Sequence, residues 1–252
     1  RSVKILDDFG EEESITDANV FIECDQGFTF EPVSVSEEGV YILKVDKLEP
    51  AYKYRLSINW NDKEYKSEYL SPLDTPAIDS ISVESSTSEK PVYICVTTHD
   101  NELEPTYYKW SYREIWEFNA DLFANAGYLN DKFYMFERHT SQNTYYCWGR
   151  DSSKVMLLAT TDKLTENLIY EKELIEIPRD HDKLKILYYI EVQQNRIRKE
   201  AYEYFKNIQR NIEQTGSIFS PIPTEVRGNI VCVSDPKEWV LGYVDVTSTT
   251  IM

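Results

Sequence analysis

The sequence predicts a mainly β protein of two modules. We expect an N-terminal immunoglobulin/fibronectin-like β-sandwich over residues 1–83 and a larger antiparallel β-sandwich domain over residues 84–252 with one packed α-helix at about residues 198–214. Short segments alternate apolar and polar residues, turn residues separate them, and one segment has helical spacing instead. With 252 residues, 41% of them apolar and 13% aromatic, the chain can bury a core in each module.

The N-terminal module is predicted from a strand over residues 52–60, where Leu56 and Ile58 alternate with polar residues, and from a hairpin turn at residues 61–63. The approach Leu48-x-Pro50-x-x-x-Tyr54 is similar to the strand entry of fibronectin type III sandwiches. In those folds a corner tyrosine hydrogen-bonds to nearby backbone. An ordinary core aromatic is the alternative interpretation of Tyr54. A run rich in Ser, Glu and Thr at residues 82–90 favours a boundary near residue 83.

The C-terminal module is predicted from further strand patterns. They lie at residues 92–97, 107–118, 144–148, 155–160, 184–192, 226–233 and about 240–246. Between the segments at residues 184–192 and 226–233, an apolar stripe of Ala201, Phe205, Ile208 and Ile212 has helical spacing, and Gly216 is placed to end the helix. We expect this stripe to pack on a sheet face.

Residues 107–118 carry an aromatic row at strand spacing, interrupted by a carboxylate at Glu114. The row consists of Tyr108, Trp110, Tyr112, Trp116 and Phe118. A sandwich core is the favoured interpretation over a platform for sugar rings. Glu114 is then either at an edge or buried, and a buried carboxylate needs a partner such as an arginine. A buried Glu114 with a raised pKa would be a general-acid candidate, but the sequence shows no catalytic mate for it.

Charge and motifs exclude several function classes. A formal net charge of −17 argues against nucleic acid as a partner, and no apolar run approaches the roughly 18 to 20 residues of a membrane helix. The acidic residues between Asp7 and Glu13 lack the order of a calcium loop, so a solvated acidic loop is favoured. His99, His139 and His181 lack metal-site spacing, and no phosphate loop or nucleophile elbow occurs. We therefore predict no catalytic residues, no metal and no cofactor.

The second half of the chain carries a long collinear pattern. It comprises "YYKWSYREIWEF" (107–118), "CWGRDSSKVMLLATTDKLTENLI" (147–169), "RKEAYEYFKNIQRNIEQTGSIFSPIPTEVRGNI" (198–230) and "DPKEWVLGYV" (235–244). This pattern resembles the Bacteroidetes lipoprotein family known as domain of unknown function 4249. The resemblance covers the whole chain and is weakest over residues 1–50. The family tends to cap its helix with Ser where this chain has Arg198, which leaves the capping group open.

The resemblance implies an exported lipoprotein, lipid-anchored upstream of Arg1, at the outer membrane on its cell-surface or periplasmic face. It implies a place beside TonB-dependent transport systems and brings no known catalytic residues. We therefore expect a non-catalytic binding or accessory component of nutrient uptake, contacting a TonB-dependent transporter or an extracellular glycan or peptide. The membrane would be reached only through the lipid anchor. A structural or adhesive surface protein and a glycan or peptide hydrolase are the alternatives.

Export also bears on the four cysteines, because exported chains meet an oxidising environment in which thiols pair. Cys147 and Cys232 both lie within strand patterns of the predicted C-terminal module, each beside large apolar residues. We predict a disulfide between them. The alternative is two independent buried thiols, as expected for Cys95, while Cys24 belongs to the other module.

Overall fold

The structure is a computed structural model, which describes residues 14–45, 47–85, 90–122, 126–135, 145–214 and 226–252. Over these residues the protein is mainly β, with several antiparallel sheets and one α-helix, as predicted. The strands are β1 Asn19–Cys24, β2 Thr29–Phe30, β3 Pro32–Val35, β4 Tyr41–Leu43, β5 Tyr54–Trp60, β6 Lys63–Ser67, β7 Ile78–Glu84, β8 Val92–His99, β9 Tyr107–Asn119, β10 Ala126–Leu129, β11 Lys132–Met135, β12 Tyr146–Ser152, β13 Leu157–Thr160, β14 Leu168–Ile177, β15 Leu187–Ile197, β16 Ile230–Cys232 and β17 Thr249–Ile251. A 3-10 helix spans Asp182–Leu184, and the α-helix, α1, spans Lys199–Gln214.

The chain forms two compact units whose composition differs from the predicted modules. Unit 1 consists of residues 1–74 and 196–248, and unit 2 consists of residues 75–195 and 249–252. The helix and β16 thus belong with the N-terminal strands rather than with a module over residues 84–252. The physical reason is strand pairing: β16 returns to β6, with Cys232 opposite Tyr65. Such long-range pairing leaves no local trace in the sequence.

Unit 1 is built on a five-stranded sheet in the order β16-β6-β5-β1-β2. The predicted hairpin joins β5 to β6 and turns at Asn61 and Asp62, which both have positive φ angles of 49° and 59°. Asn and Asp tolerate this region better than other side chains, and consecutive positive φ values match the twist of a two-residue hairpin. The local sequence therefore sets the register of this hairpin.

Tyr54 forms the corner that its sequence context predicts. Its hydroxyl accepts a hydrogen bond of 2.8 Å from the backbone N–H of Glu49, and its side chain is buried. The backbone of Tyr54 also exchanges two hydrogen bonds with Leu70. The ring and the hydroxyl together fix the entry into β5, so the corner interpretation is confirmed over that of an ordinary core aromatic.

The start of α1 is held by a carboxylate that is distant in sequence. The Asp245 side chain accepts a hydrogen bond of 2.9 Å from the backbone N–H of Arg198 and pairs with its guanidinium, which also donates to the carbonyl of Ser71. A carboxylate at this place accepts from a backbone N–H group, and its negative charge interacts favourably with the positive end of the helix dipole. Asp245 is thus the capping group, which the sequence left open because Arg198 stands where the family tends to have Ser.

The buried stripe of α1 is rotated from the predicted one. Ala201 is buried as expected, but Tyr202 and Tyr204 are buried beside it, Phe205 is half-buried and Ile212 is exposed. Tyr204 packs on Phe205 and on Tyr243, with ring centroids 5.4 Å apart in both cases. Helical periodicity identified the helix, but tyrosine buries its ring while keeping a polar tip, so counting only aliphatic residues and Phe misplaced the stripe. The predicted stop at Gly216 lies outside the described residues.

Unit 2 contains two larger antiparallel sheets whose apolar residues form one core. One sheet has the order β14-β8-β7, and the other has the order β12-β9-β15-β17 with β13 also pairing with β9. The core cluster draws Ile94 and Val96 from the first sheet and Tyr108, Trp110 and Val192 from the second. This arrangement is sandwich-like. In the aromatic row of β9, Tyr108 and Trp110 belong to this core and Tyr112 packs against it, so the core interpretation is confirmed for these three residues. Trp116 and Phe118 are half-buried and lie outside the cluster.

Candidate functional site

Glu114 is a fully buried carboxylate in the middle of β9. Only 1% of the residue is exposed to solvent, and it lies on the same face of the strand as Tyr112 and Trp116. Of the two interpretations left open by the sequence, edge or buried with a partner, the structure shows the second. A charge at such a depth requires compensation by an opposite charge and by hydrogen bonds.

Lys183 and Tyr188 provide that compensation in place of the expected arginine. The ammonium group of Lys183, in the 3-10 helix, pairs with Oε1 of Glu114, and the side chain of Lys183 is only 12% exposed. The hydroxyl of Tyr188, in β15, donates a hydrogen bond of 2.7 Å to Oε2. Burial, followed by the bond to Glu114, raises the pKa of Tyr188 far above its ordinary value, so it remains a donor. Both carboxylate oxygens therefore have a donor.

An indole ring covers this ion pair. The Lys183 ammonium lies 4.9 Å from the centre of the Trp116 ring, within the range of a cation–π contact. Gly149 of β12 stands opposite Trp116, and a Cβ atom at this position would overlap the indole. The His181 ring meets the Trp116 ring edge-on, with the ring centroids 6.3 Å apart. A glycine at residue 149 thus makes the room that the indole needs.

Asp151 completes the acidic surroundings of Lys183. It lies opposite Glu114 in the β9–β12 ladder. Hydrogen bonds from Lys154 and from the Ser152 backbone, with the charge of Lys183 adding to them, lower the pKa of Asp151 below its ordinary range. Burial, with Glu114 and Asp151 nearby, raises the pKa of Tyr112. The arrangement around Glu114 can therefore fix a network of charges inside unit 2. For Glu114 to transfer a proton, a substrate would first have to displace Lys183 or Tyr188 from its carboxylate.

The opposite surface of the same strands is exposed and rich in large side chains. We call it the outer face of β9 and β12. Trp148 is 61% exposed, Tyr146 is 45% exposed and Ile115 is 44% exposed. Arg150 stands opposite Ile115 in the ladder, and Arg113 follows two pairs further along, on the same face. An exposed patch of aromatic and arginine side chains has the composition found at protein interaction sites.

The predicted disulfide is not formed. All four cysteines are free thiols, and Cys147 lies in unit 2 whereas Cys232 lies in unit 1. The prediction placed both in one module because it followed chain order, whereas β16 returns to the sheet of unit 1. Cys95 is a buried free thiol, as expected, and burial raises its pKa.

Cys232 instead joins a polar cluster around Glu238 in unit 1. Tyr65 donates a hydrogen bond of 2.7 Å to Glu238, and the Lys63 ammonium pairs with the same carboxylate. The hydrogen bonds from Lys63 and Tyr65 lower the pKa of Glu238, and the Cys232 thiol adds a further bond. This cluster links β6 to the segment that follows β16.

The histidines occupy structural positions where they are described. His99 is exposed and lies 2.8 Å from Asp79, whose hydrogen bond raises the pKa of the imidazole. His181 accepts a bond from the backbone of Lys183 at the start of the 3-10 helix. His139 and the acidic residues from Asp7 to Glu13 lie outside the described residues. In the described part of the chain, His, Cys, Asp and Glu form no group that could hold a metal ion.

Sequence reasoning found Glu114 but missed its partners and the outer face. Lys183 is 69 residues away in the chain and lies in a short 3-10 helix, Asp182–Leu184, at the point where the sequence pattern predicts the start of a strand. Tyr146, Trp148 and Arg150 do alternate in the sequence, which is a usable strand signal. Alternation alone cannot say which face of a strand meets solvent, so the exposure of Trp148 required the fold.

Of three comparisons with known proteins, one found a match. The model of the family described as Domain of unknown function (DUF4249) matches residues 1–251. No curated protein and no solved structure matches the chain. No helix within the described residues is both long and apolar enough to cross a membrane.

Proposed function

Because this chain belongs to the DUF4249 family, whose model spans nearly all of it, we propose that it is a non-catalytic binding or accessory component of TonB-dependent nutrient uptake. In this proposal the protein is an exported lipoprotein, anchored by lipid at the outer membrane, that contacts a transporter. The resemblance of its sequence to Bacteroidetes lipoproteins motivates the location and the partner.

The observation that carries the proposal is the outer face of β9 and β12. Tyr146, Trp148 and Ile115 are large side chains whose exposure removes part of the stabilisation that burial would provide. Tryptophan and tyrosine are also the residues that contribute most at interfaces when they become buried. A surface of this kind is better explained by a partner that covers it than by the stability of the isolated chain.

A hydrolase would need Glu114 as its general acid. The buried cluster around Glu114 instead supports a structural role for this residue. Its Oε1 is paired with Lys183, and its Oε2 accepts from Tyr188. A general acid needs an oxygen that can reach the leaving group of a substrate. Both oxygens of Glu114 are directed to internal donors, which favours binding over hydrolysis.

The experiment is to solubilise the envelope in mild detergent and isolate the full-length protein. We expect a TonB-dependent barrel to co-elute, and we expect the variant Tyr146→Ala/Trp148→Ala to lose it. Trp239→Ala is the matched control, because Trp239 is also exposed but lies in unit 1 on Arg227. Recovery of the protein alone, together with cleavage of glycans or peptides that Glu114→Gln abolishes, would overturn the proposal.

A further inference from the structure

The strand β12 is an open edge of its sheet. In the described part of unit 2 it pairs with β9 on one side and with no strand on the other. The backbone N–H of Ala120 donates to the carbonyl of Tyr145, and the N–H of Ser153 donates to the carbonyl of Tyr112. These two bonds, at the two ends of the ladder, establish that the odd-numbered residues of this strand bond to β9.

The even-numbered residues therefore direct their backbone groups away from β9. In an antiparallel pair, bonded and non-bonded positions alternate, so the N–H and C=O groups of Tyr146, Trp148 and Arg150 point out of the sheet edge. The next outward N–H, that of Ser152, is already taken by the Asp151 side chain at 2.9 Å. The open edge thus runs from residue 146 to residue 150.

The same residues place their side chains on the outer face. Arg150 lies diagonally next to Arg113, and Trp148 is its neighbour two residues earlier. Both guanidinium groups are solvent-exposed, and within the described ranges neither makes a hydrogen bond or an ion pair. This is unusual in a chain with 44 acidic and 27 basic residues, where carboxylates are abundant. Glu117, opposite Trp148, is a carboxylate on the same face of these described strands, but it forms no ion pair with either guanidinium group. Both guanidinium groups therefore remain available to an acidic partner from outside the chain.

We propose that the β12 edge binds an extended acidic segment of a partner protein by strand addition. The segment would hydrogen-bond to the free backbone groups of Tyr146, Trp148 and Arg150, and its carboxylate would meet Arg150 and Arg113. Main-chain bonds supply affinity in this binding mode, and alternate side chains supply specificity. This inference deepens the proposed function and rests on it, since it names the kind of partner that the outer face recognises.

The geometry specifies the order of residues in the ligand. Side chains of an added strand that lie on the outer face come from alternate positions, each opposite one even-numbered residue of β12. For antiparallel addition, an acidic residue opposite Arg150 is followed two residues later by an apolar residue opposite Trp148 and then by another opposite Tyr146. Parallel addition reverses this order.

The test uses the full chain and a fluorescent peptide, Thr-Glu-Thr-Val-Thr-Val-Thr, with its reversed sequence to cover both orientations. We expect one of the two to bind in fluorescence anisotropy, and we expect replacement of its Glu by Lys to weaken binding about tenfold or more. Arg150→Gln and Arg113→Gln should each weaken binding of the Glu peptide. Arg210→Gln is the matched control, since Arg210 is an exposed arginine on α1 with no partner among the described residues.

Backbone methylation distinguishes strand addition from adsorption on the surface. When the peptide adds antiparallel, an N-methyl group on the Glu or on either Val, whose N–H groups then face β12, should abolish binding. The same group on the central Thr residues, whose N–H groups then face solvent, should leave binding unchanged. For the reversed peptide the two outcomes are exchanged, because in parallel addition the N–H groups that face β12 belong to the Thr residues between the Glu and Val positions. Equal effects at both kinds of position would overturn the inference, as would equal binding of the Lys peptide or no binding at about 1 mM peptide.

The outcome is separable from that of the proposed function. A transporter that co-elutes with a chain that binds neither peptide would leave the proposed function standing and refute the edge site. Peptide binding with the expected pattern but no co-eluting transporter would support the edge site and contradict the transporter contact of the proposed function. Concentration-dependent dimerisation that Arg150→Gln abolishes would identify a second copy of the chain as the occupant and overturn the inference.

Discussion

The ion pair between Glu114 and Lys183 predicts a large and testable coupling. Replacing Lys183 by Met removes the ammonium but leaves the carboxylate buried with Tyr188 as its remaining donor. Breaking a buried pair in this way costs about 3 to 5 kcal/mol, because one charge is left uncompensated. Since Tyr188 still donates, we expect the free energy of unfolding to fall by about 3 kcal/mol, at the lower end of that range.

The double variant Lys183→Met/Glu114→Gln separates the pair from the packing of the two side chains. It removes both charges while Gln keeps an oxygen for Tyr188, so it should be more stable than Lys183→Met alone, with a coupling of about 2 kcal/mol. Urea unfolding gives the overall values. Amide hydrogen exchange along β9 assigns the change to unit 2, because two units need not unfold in a single step.

Lys154→Met is the matched control for this cycle. Lys154 also pairs with a carboxylate of the same sheet, Asp151, but its side chain is 78% exposed. Exposed pairs contribute up to about 1 kcal/mol. If Lys183→Met proved no more destabilising than Lys154→Met, the Glu114–Lys183 pair would contribute no more than an exposed ion pair. That result would refute the argument that burial makes this pair costly to break.

Three further predictions concern unit 1. Gly228→Ala should destabilise the protein enough to be detected as a lower melting temperature, because a Cβ at residue 228 would overlap the backbone carbonyl of Gly242, which no side-chain rotation can relieve. Asp245→Ala should cost about 1 to 2 kcal/mol by urea unfolding and raise amide exchange in the first turn of α1, and unchanged exchange there would contradict the capping role. Because the folded-state pKa of Glu238 lies below its unfolded value, its contribution is present above about pH 4.5 and is lost as the pH falls through the folded pKa. Glu238→Gln should therefore flatten the acid limb of the stability profile of unit 1, and an unaltered limb would show that the bonds from Lys63 and Tyr65 contribute nothing.

The parts of the fold that sequence reasoning predicted are those that local physics determines. Alternation in β5, the positive φ values at Asn61 and Asp62, and the corner at Tyr54 all depend on residues within a few positions of each other. The inward aromatic row of β9 follows from the period of a strand, once a sandwich is assumed. The predictions of these features are correct because each feature depends on nearby residues and on no distant segment.

The parts that sequence reasoning missed depend on distant segments. Membership of unit 1 is decided by β16 pairing with β6, and that pairing also separates Cys232 from Cys147. The acceptor for the Arg198 N–H is 47 residues further along the chain, at Asp245. For Glu114 the sequence could state the need for a partner but could not name Lys183, because a buried charge determines only that some cation must approach it.

The return of the chain to its first sheet also has a consequence for how the protein is made. Tyr65 and Glu238 are 173 residues apart. At ordinary rates of translation, β16 and the segment after it are therefore synthesised roughly ten seconds or more after β6, with which they pair. The larger sheet of unit 2 is also incomplete until the end of the chain is made, because β17, at residues 249–251, pairs with β15. During that interval the β6 edge is open to foreign strands, and a chain stalled before residue 230 would expose it indefinitely. A binding chaperone, rather than early folding of the N-terminal strands, would have to keep such a nascent chain from aggregating.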